Sequence, residues 1–138
     1  MSRILAIDYG RKRTGIAVTD TLQMIAGSLS TVETHELLPF LQNYFAKESV
    51  EKIVIGYPKT LNNQPAEITA DIDNFTKILR QNFPATEIVF FDERFTSKIA
   101  FQTLIDSGIG KEKRKNKALI DKISATIILQ EYLESTKY

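Results

Sequence analysis

With 138 residues, the chain has the length of one domain, and a chain of this size buries roughly two thirds of the surface that it exposes when unfolded. A net charge of +1 and the lack of cysteine exclude a polycation, a disulfide framework and a thiolate zinc site. The first apolar stretch is too short for a signal peptide or a membrane span, so we expect a cytoplasmic protein that makes no membrane contact.

The first predicted elements form a hairpin. Two apolar runs, Ile4–Ile7 and Ile16–Val18, flank the segment Gly10–Gly15, which is long enough only for a turn. They predict two strands that are buried on both faces. The weak alternation and the glycine within Met24–Val32 predict a third strand at the edge of a sheet.

The rest of the chain alternates between helix and strand. Apolar residues at helical spacing predict a first helix that ends near Lys47 and has Thr34 as its N-cap. The later elements are predicted as a strand at Ile53–Pro58, a helix at Ala66–Asn82, a strand at Glu87–Phe91, a helix at Phe95–Asp106 and a helix from about Lys117 to Glu134. Together these elements predict an α/β fold, a mixed five-stranded sheet with its first three strands antiparallel and helices on both faces.

Asp8 closes the first strand, where a carboxylate that loses water costs on the order of several kcal/mol unless a cation or a set of donors compensates. Capping of the turn is one interpretation, because Asp commonly caps turns that contain glycine. Arg11, Lys12 and Arg13 place three cations at the same tip, however. This arrangement favours a phosphate held beside a metal-binding acid.

The predicted sheet places further residues near Asp8. In open α/β sheets the usual crevice lies beyond the carboxyl ends of the parallel strands. The fourth and fifth strands would bring Gly56–Lys59 and Asp92–Arg94 to that end, together with Asp8. Asp20 is excluded, because in the hairpin it would pair close to Arg3, roughly 17 Å from Asp8.

Asp121 interrupts an apolar face of the last predicted helix, beside Ala125 and Ile128. A salt bridge to Lys117 or Lys122 would explain an exposed acid. The helix is apolar almost all round, however, which predicts burial. A buried acid at this position needs a partner.

Asp8, Glu93 and Asp121 would form a cluster of like charges. Carboxylates gather in this way only when cations offset their repulsion or some of their protons stay bound. Oxygen ligands without thiols suit Mg²⁺ or Mn²⁺ better than zinc. The sequence therefore predicts a divalent metal site, if these acids converge.

Four segments, taken in chain order, carry a resemblance to a known family. They are Ile4–Asp20, Ile53–Pro58, Phe91–Thr96 and Asp121–Leu133. These segments look like the signature blocks of the YqgF family, in the same order and over nearly the whole chain. The resemblance implies one RNase H-like domain over residues 1–138. The family has been described both as a Holliday junction resolvase and as a nuclease that matures the 5′ end of precursor 16S ribosomal RNA.

The resemblance also implies roles for individual residues. By similarity, Asp8, Glu93 and Asp121 are the catalytic and metal-binding acids. They would hold two Mg²⁺ or Mn²⁺ ions about 4 Å apart during in-line attack on a phosphodiester. The chain departs from the family pattern at Asn62–Gln64 and at Ser124–Ala125, and neither departure removes a proposed ligand.

Nucleic-acid binding is expected from the basic residues at the tip, after the fifth strand and before the last helix. These residues are Arg11, Lys12, Arg13, Arg94, Lys111, Lys113, Arg114 and Lys115. They would contact phosphates independently of base sequence, and the binding would weaken with salt. For Arg94, a buried pair with Asp92 is an alternative, and the run Lys111–Lys117 is also typical of a solvated segment.

The expected activity is hydrolysis of phosphodiester bonds in structured nucleic acid, with 5′-end processing of precursor 16S ribosomal RNA preferred. Resolution of branched DNA is the alternative, and it would favour a two-fold dimer, whereas an RNA processor could act as a monomer. A nucleic-acid-binding module without catalysis also stays open. The first block is similar to the phosphate hairpin of actin and Hsp70, but one domain of this length would leave ATP half exposed.

Overall fold

The computed structural model describes residues 2–57, 68–92 and 117–136, with the backbone alone for Asp92 and for residues 117–123. The strands are β1 (Arg3–Asp8), β2 (Arg13–Thr19), β3 (Ala26–Glu33), β4 (Val50–Tyr57) and β5 (Glu87–Asp92). The helices are α1 (Leu37–Lys47), which a 3-10 turn at Thr34–Glu36 precedes, α2 (Ile68–Asn82) and α3 (Lys117–Ser135). These elements confirm the five predicted strands and three of the predicted helices. The helix predicted at Phe95–Asp106 lies outside the described residues.

The five strands form one mixed sheet in the order β3-β2-β1-β4-β5. The pairs β1–β2 and β2–β3 are antiparallel, and the pairs β1–β4 and β4–β5 are parallel. The predicted arrangement is therefore confirmed, including the position of β3 at the edge. We call the end of the sheet where β1, β4 and β5 finish the carboxyl end, and the opposite end the amino end.

The sheet is covered on both faces. One apolar layer lies under α1 and α2 and consists of Leu5, Ile7, Ile16, Leu37, Leu41, Ile53, Ile55, Ile72 and Leu79. The other layer lies under α3 and consists of Ile4, Ala6, Ala17, Val54, Ala125, Ile128, Leu129, Tyr132 and Leu133. Successive residues of a strand point to opposite faces, so β1 supplies both layers. Each fully buried Leu or Ile side chain of these layers stabilises the fold by about 1.5–3 kcal/mol.

Thr34 has a different role from the one that we predicted. The N-cap position of α1 is Glu36, whose side chain makes no capping hydrogen bond. The hydroxyl of Thr34 instead donates to the carbonyl of Gly10 at 2.5 Å and lies 2.9 Å from the Thr14 hydroxyl. The capping prediction is therefore wrong, because the tip of the hairpin offers Thr34 a tertiary partner that competes with the local one.

The described helices also bear on the expectation about membranes. Within the described parts of the chain, none of them combines the length and the apolar character that a membrane-spanning helix requires.

Candidate active site

Asp8 is the last residue of β1 and lies opposite Gly15 of β2. Its side chain is half-buried. Ile4 and Ala6 pack in the layer under α3, and Asp8 follows them with the same two-residue period. Asp8 therefore lies at the carboxyl end of the sheet and faces the side that α3 covers.

The turn that follows Asp8 is closely packed. A Cβ atom on Gly10 would lie 2.3 Å from the carbonyl oxygen of Arg13, a distance that no side chain tolerates without movement of the backbone. The Thr34 hydroxyl donates to the Gly10 carbonyl, and the Thr34 N–H donates to the Lys12 carbonyl at 2.9 Å. These contacts fix the tip, which we define as residues Tyr9–Arg13, beside the start of the 3-10 turn.

The three predicted cations of the tip differ in exposure. Arg11 and Lys12 are exposed, whereas Arg13 is half-buried at the start of β2. Arg11 Nε lies 3.1 Å from a carboxylate oxygen of Asp71 on α2. Exposed ion pairs of this kind contribute about 0–1 kcal/mol. Both Arg11 and Lys12 are thus positioned at the surface beside Asp8.

A second contact joins the tip to α2. The ring of Tyr9 packs on the ring of Phe75 with a centroid distance of 5.4 Å. Burial raises the pKa of Tyr9, and the nearby Asp71 carboxylate raises it further. Since Phe75 lies one helical turn after Asp71, α2 contacts the tip at two points.

The ends of β4 and β5 complete this part of the sheet. Ile7 is in register with Ile55, and Ile55 is in register with Phe90. The Tyr57 hydroxyl donates to Asp73 of α2 at 3.3 Å, and burial, followed by Asp73, raises the pKa of Tyr57. The end of β4 is therefore also bound to α2.

Glu93 follows β5 in the sequence and lies outside the described residues. Val89 and Phe91 of β5 pack against the layer under α3, on the side that Asp8 faces. Because β4 lies between β1 and β5, the backbones of β1 and β5 are about 10 Å apart. A ligand on β5 would have to reach across this spacing.

The path of α3 indicates where Asp121 lies. Tyr132, near the end of the helix, accepts a hydrogen bond from Lys52 of β4, and Lys52 is in register with Ile4 at the amino end. Asp8 lies four residues beyond Ile4, or about 13 Å along β1. Asp121 lies eleven residues before Tyr132, or about 16 Å along the helix. The backbone of Asp121 is thus positioned towards the carboxyl end of the layer that Asp8 faces.

The remaining predicted site residues lie outside the described residues. They are Arg94, Lys111, Lys113, Arg114 and Lys115. Of the proposed acids, the structure describes the side chain of Asp8 and the backbone of Asp121.

Asp20, which the sequence excluded from the site, lies at the amino end. Its carboxylate accepts hydrogen bonds from the backbone N–H groups of Leu22, Met24 and Ile25. The bonds from Ile25 and Met24 are the main cause of its lowered pKa. The acid of β1 and the acid that follows β2 therefore have different surroundings at opposite ends of one hairpin.

Sequence reasoning missed the role of α2 at the carboxyl end. Asp71 and Asp73 contact the tip and β4 respectively, and Phe75 packs against Tyr9. No spacing in the sequence indicates an ion pair between Arg11 and Asp71, since the two are sixty residues apart. The one signal in the sequence was the presence of two acids, Asp71 and Asp73, in the first half of α2.

Among the described residues, one group of three side chains could offer ligands to a metal within 4.8 Å of one another: Glu33, His35 and Glu36. All three are exposed, and His35 lies 3.4 Å from Glu33 and 3.9 Å from Glu36. Exposed acidic groups are common without a metal.

Comparison with known proteins agrees with this arrangement. A family model described as "RuvX: Holliday junction resolvase" matches residues 2–135. A protein of Bacteroides thetaiotaomicron is 57% identical over 138 residues, and one of Phocaeicola vulgatus is 58% identical over 138 residues. Each alignment covers 100% of this chain, and they cover 100% and 99% of the two relatives. Both relatives carry the name "Putative pre-16S rRNA nuclease".

Solved structures show the same fold. The structure of RuvC from T. thermophilus in complex with a Holliday junction substrate is 17% identical, with a TM-score of 0.54, and the match covers 99% of this chain and 96% of that chain. Because RuvC has an RNase H-like fold, the predicted fold class is confirmed. The chain belongs to the RuvX family, also called YqgF, as the resemblance of its four segments predicted.

Proposed function

We propose that the protein is a metal-dependent endonuclease that hydrolyses phosphodiester bonds in structured nucleic acid, and that its substrate is the 5′ end of precursor 16S ribosomal RNA. The observation that carries the proposal is the position of Asp8, half-buried at the carboxyl end of β1 on the side covered by α3. The helix that contains Asp121 extends towards the same end of the sheet. The exposed cations Arg11 and Lys12 lie on the tip that follows Asp8.

The names of the relatives support the choice of substrate. Proteins that align over nearly their whole length at more than half identity carry the name "Putative pre-16S rRNA nuclease". Such a substrate would be met in the cytoplasm, by one RNase H-like domain formed from residues 1–138. A monomer would suffice for this reaction.

The proposed donor set fits a divalent metal. Asp8, Glu93 and Asp121 would offer carboxylate oxygens, the ligands that Mg²⁺ and Mn²⁺ prefer. When bound, the ions would supply Lewis-acid stabilisation of the phosphoryl oxygens and a lowered pKa for water. Asp8 is half-buried, and charge interactions at a partly buried position are stronger than in water.

The basic residues would bind and orient the substrate. Arg11, Lys12 and Arg13 would contact phosphates that flank the scissile bond, because they lie on the fixed tip directly after Asp8. Arg94 and the group Lys111, Lys113, Arg114 and Lys115 would extend this contact. Since phosphate contacts release counterions, binding would weaken as salt rises.

A cleavage assay with Asp8→Asn tests the proposal. Wild-type protein and the variant are incubated with Mg²⁺ or Mn²⁺ and either a precursor 16S ribosomal RNA fragment or a four-way DNA junction. We expect cleavage of the RNA by the wild type and a rate at least about 1,000-fold lower for Asp8→Asn, because the variant loses a charged ligand of the metal. Glu93→Gln and Asp121→Asn should lose cleavage as well.

Asp20→Asn provides the matched control, since it makes the same chemical change in the same hairpin at the amino end. It should cleave like the wild type. Equal cleavage by wild type and Asp8→Asn would contradict the catalytic assignment. Binding that survives EDTA, without cleavage under either ion, would identify a binding module instead.

Resolution of branched DNA is a second candidate, because the matching family model is described as a Holliday junction resolvase. The junction arm of the assay tests it. Symmetric cleavage of the junction by a two-fold dimer, with the RNA left intact, would replace the first candidate by the second.

A further inference from the structure

The ion pair between Arg11 and Asp71 is more exposed than those at the amino end. The side chains of Arg3 and Lys52 are 26% and 22% exposed. Arg3 contacts Glu48 and the Thr19 carbonyl, and Lys52 contacts Tyr132 and Glu87. The Arg11 and Asp71 side chains are 58% and 41% exposed. The guanidinium group of Arg11 is therefore accessible to a ligand from solvent while it contacts Asp71.

The backbones that present the two residues are fixed relative to each other. The rings of Tyr9 and Phe75 join the tip to α2 one helical turn away from Asp71. On the other side, Thr34 binds the Gly10 carbonyl. Since the tip and the helix are already ordered, the ion pair costs only the ordering of two side chains.

The carboxylate of Asp71 and a phosphate group compete for the same guanidinium group. Both are oxyanions that accept charge-assisted hydrogen bonds from a guanidinium group. Asp71 Oδ2 lies 3.1 Å from Arg11 Nε, within hydrogen-bonding distance. A nucleic-acid phosphate that approaches this nitrogen must displace the carboxylate or share the donor with it, and in either case the two negative charges repel each other.

We propose that Asp71 is a specificity-determining residue, a built-in competitor of the substrate phosphate for Arg11, and that binding of nucleic acid exchanges one partner of Arg11 for the other. This inference rests on the proposed function. Asp71 lowers the affinity for any polyanion that offers a single phosphate at the tip. The protein then binds a nucleic acid tightly only if that nucleic acid contacts several of its cations at once.

The exchange of Asp71 for a phosphate as the partner of Arg11 affects the salt dependence of binding. Each phosphate contact that releases a counterion adds roughly 0.7–0.9 to the slope of log affinity against log salt. In the wild type, the phosphate that binds Arg11 gives up its condensed cation, but the displaced Asp71 carboxylate attracts a cation in turn, so this contact releases less than a full counterion. In Asp71→Asn no carboxylate is displaced, and the contact releases the full counterion. The slope therefore becomes steeper by up to about 0.9.

The experiment measures binding without cleavage. A fluorescently labelled RNA stem-loop is titrated with wild type and with Asp71→Asn in EDTA, from low to physiological salt. We expect Asp71→Asn to bind about threefold to fivefold more tightly at low salt, with the steeper slope given above.

Asp73→Asn is the matched control. It removes the same charge two residues along α2, but Asp73 contacts Tyr57 rather than Arg11. It should change the affinity slightly and leave the slope unchanged. In an Arg11→Gln background, Asp71→Asn should have no larger effect than Asp73→Asn, because the competition has been removed.

Two outcomes overturn the inference. Equal effects of Asp71→Asn and Asp73→Asn would show a general effect of charge, and weaker binding by Asp71→Asn would show that Asp71 positions Arg11. Failure of the proposed function looks different, because the wild type would then bind neither the stem-loop nor a four-way junction at any salt concentration, or would bind them without cleaving either in Mg²⁺ or Mn²⁺. Thermal melting of both variants verifies that they fold.

Discussion

The two ends of the sheet hold their charged residues in different ways. At the amino end, Arg3, Lys52 and Asp20 are bound by several groups of the protein itself. At the carboxyl end, Lys12 and the ion pair of Arg11 with Asp71 are exposed on a tip whose backbone is fixed. Charges that are satisfied internally contribute to stability, whereas charges presented to solvent on a rigid backbone are available for a ligand.

The contacts of Lys52 and Lys12 illustrate the difference between the two ends. Lys52 lies over the ring of Tyr132 at 5.2 Å and donates to its hydroxyl, and this hydrogen bond is the main cause of the raised pKa of Lys52. Its contribution to stability is present below the ordinary lysine pKa of 10.5 and is lost as the pH rises through the raised value. No comparable internal partner holds Lys12 among the contacts of the described residues, beyond those of its backbone. The amino end therefore joins α3 to the sheet, and the carboxyl end presents charge to solvent.

Gly10→Ala should have the largest effect on this comparison. The new Cβ would collide with the Arg13 carbonyl oxygen, so the tip must shift. We expect a loss of about 1–3 kcal/mol in the free energy of unfolding. Cleavage should fall by about 100-fold, because the shift moves the backbone next to Asp8. Chemical denaturation and the cleavage assay measure the two effects.

Gly27→Ala is the control for this substitution. A Cβ on Gly27 would lie 3.8 Å from the Val18 carbonyl oxygen, an ordinary contact, and Gly27 is on the edge strand β3. It should leave cleavage unchanged. If Gly10→Ala cleaves like Gly27→Ala, the tip does not need the fixed geometry that we describe.

A pair of single-hydroxyl deletions compares the ends directly. Thr34→Val removes the donor to the Gly10 carbonyl at the carboxyl end, and Tyr132→Phe removes the acceptor of Lys52 at the amino end. Each should lower the free energy of unfolding by about 1 kcal/mol, the usual contribution of one hydrogen bond. Only Thr34→Val should also lower the cleavage rate, since only Thr34 contacts the tip. A lower rate in both variants at equal stability would remove the distinction between the ends.

Asp20→Asn should have the smallest effect, a small loss of stability near neutral pH that disappears in acid. The backbone N–H groups that bind Asp20 favour its ionised form, which lowers its pKa in the folded protein. Its contribution to stability is therefore present above the ordinary value of 3.8 and is lost as the pH falls through the lowered value. Asn does not titrate, so the stability of Asp20→Asn should depend less steeply on pH in that range. Parallel acid-denaturation curves for the two proteins would contradict this account of the amino end.

Local patterns predicted the strands well, but some boundaries depended on contacts between side chain and backbone. The third strand was expected from Met24, whereas β3 begins at Ala26. The N–H groups of Met24 and Ile25 donate to Asp20 instead of to a neighbouring strand. Their apolar side chains suggested a strand, but the carboxylate of Asp20 holds their backbone in a turn.

The candidate site was predicted in part. Asp8 was identified from its position at the end of a buried strand, because a carboxylate after four apolar residues is unusual for a core strand. Asp71 carried no such mark, since its partner Arg11 is distant in sequence and becomes its neighbour only after α2 packs on the sheet. Thr34 was assigned to the wrong partner for the same reason.

The sequence by itself determined the strands, the hairpin, and the separation of Asp8 from Asp20, because the burial period and the length of the turn are local properties of the chain. The tertiary structure alone decided that α2 contacts the tip, that Thr34 binds Gly10 rather than capping α1, and that Tyr132 holds Lys52 at the other end. Those contacts depend on which elements become neighbours, and the partner of a side chain is set by the packing of the whole sheet rather than by the residues beside it in the sequence.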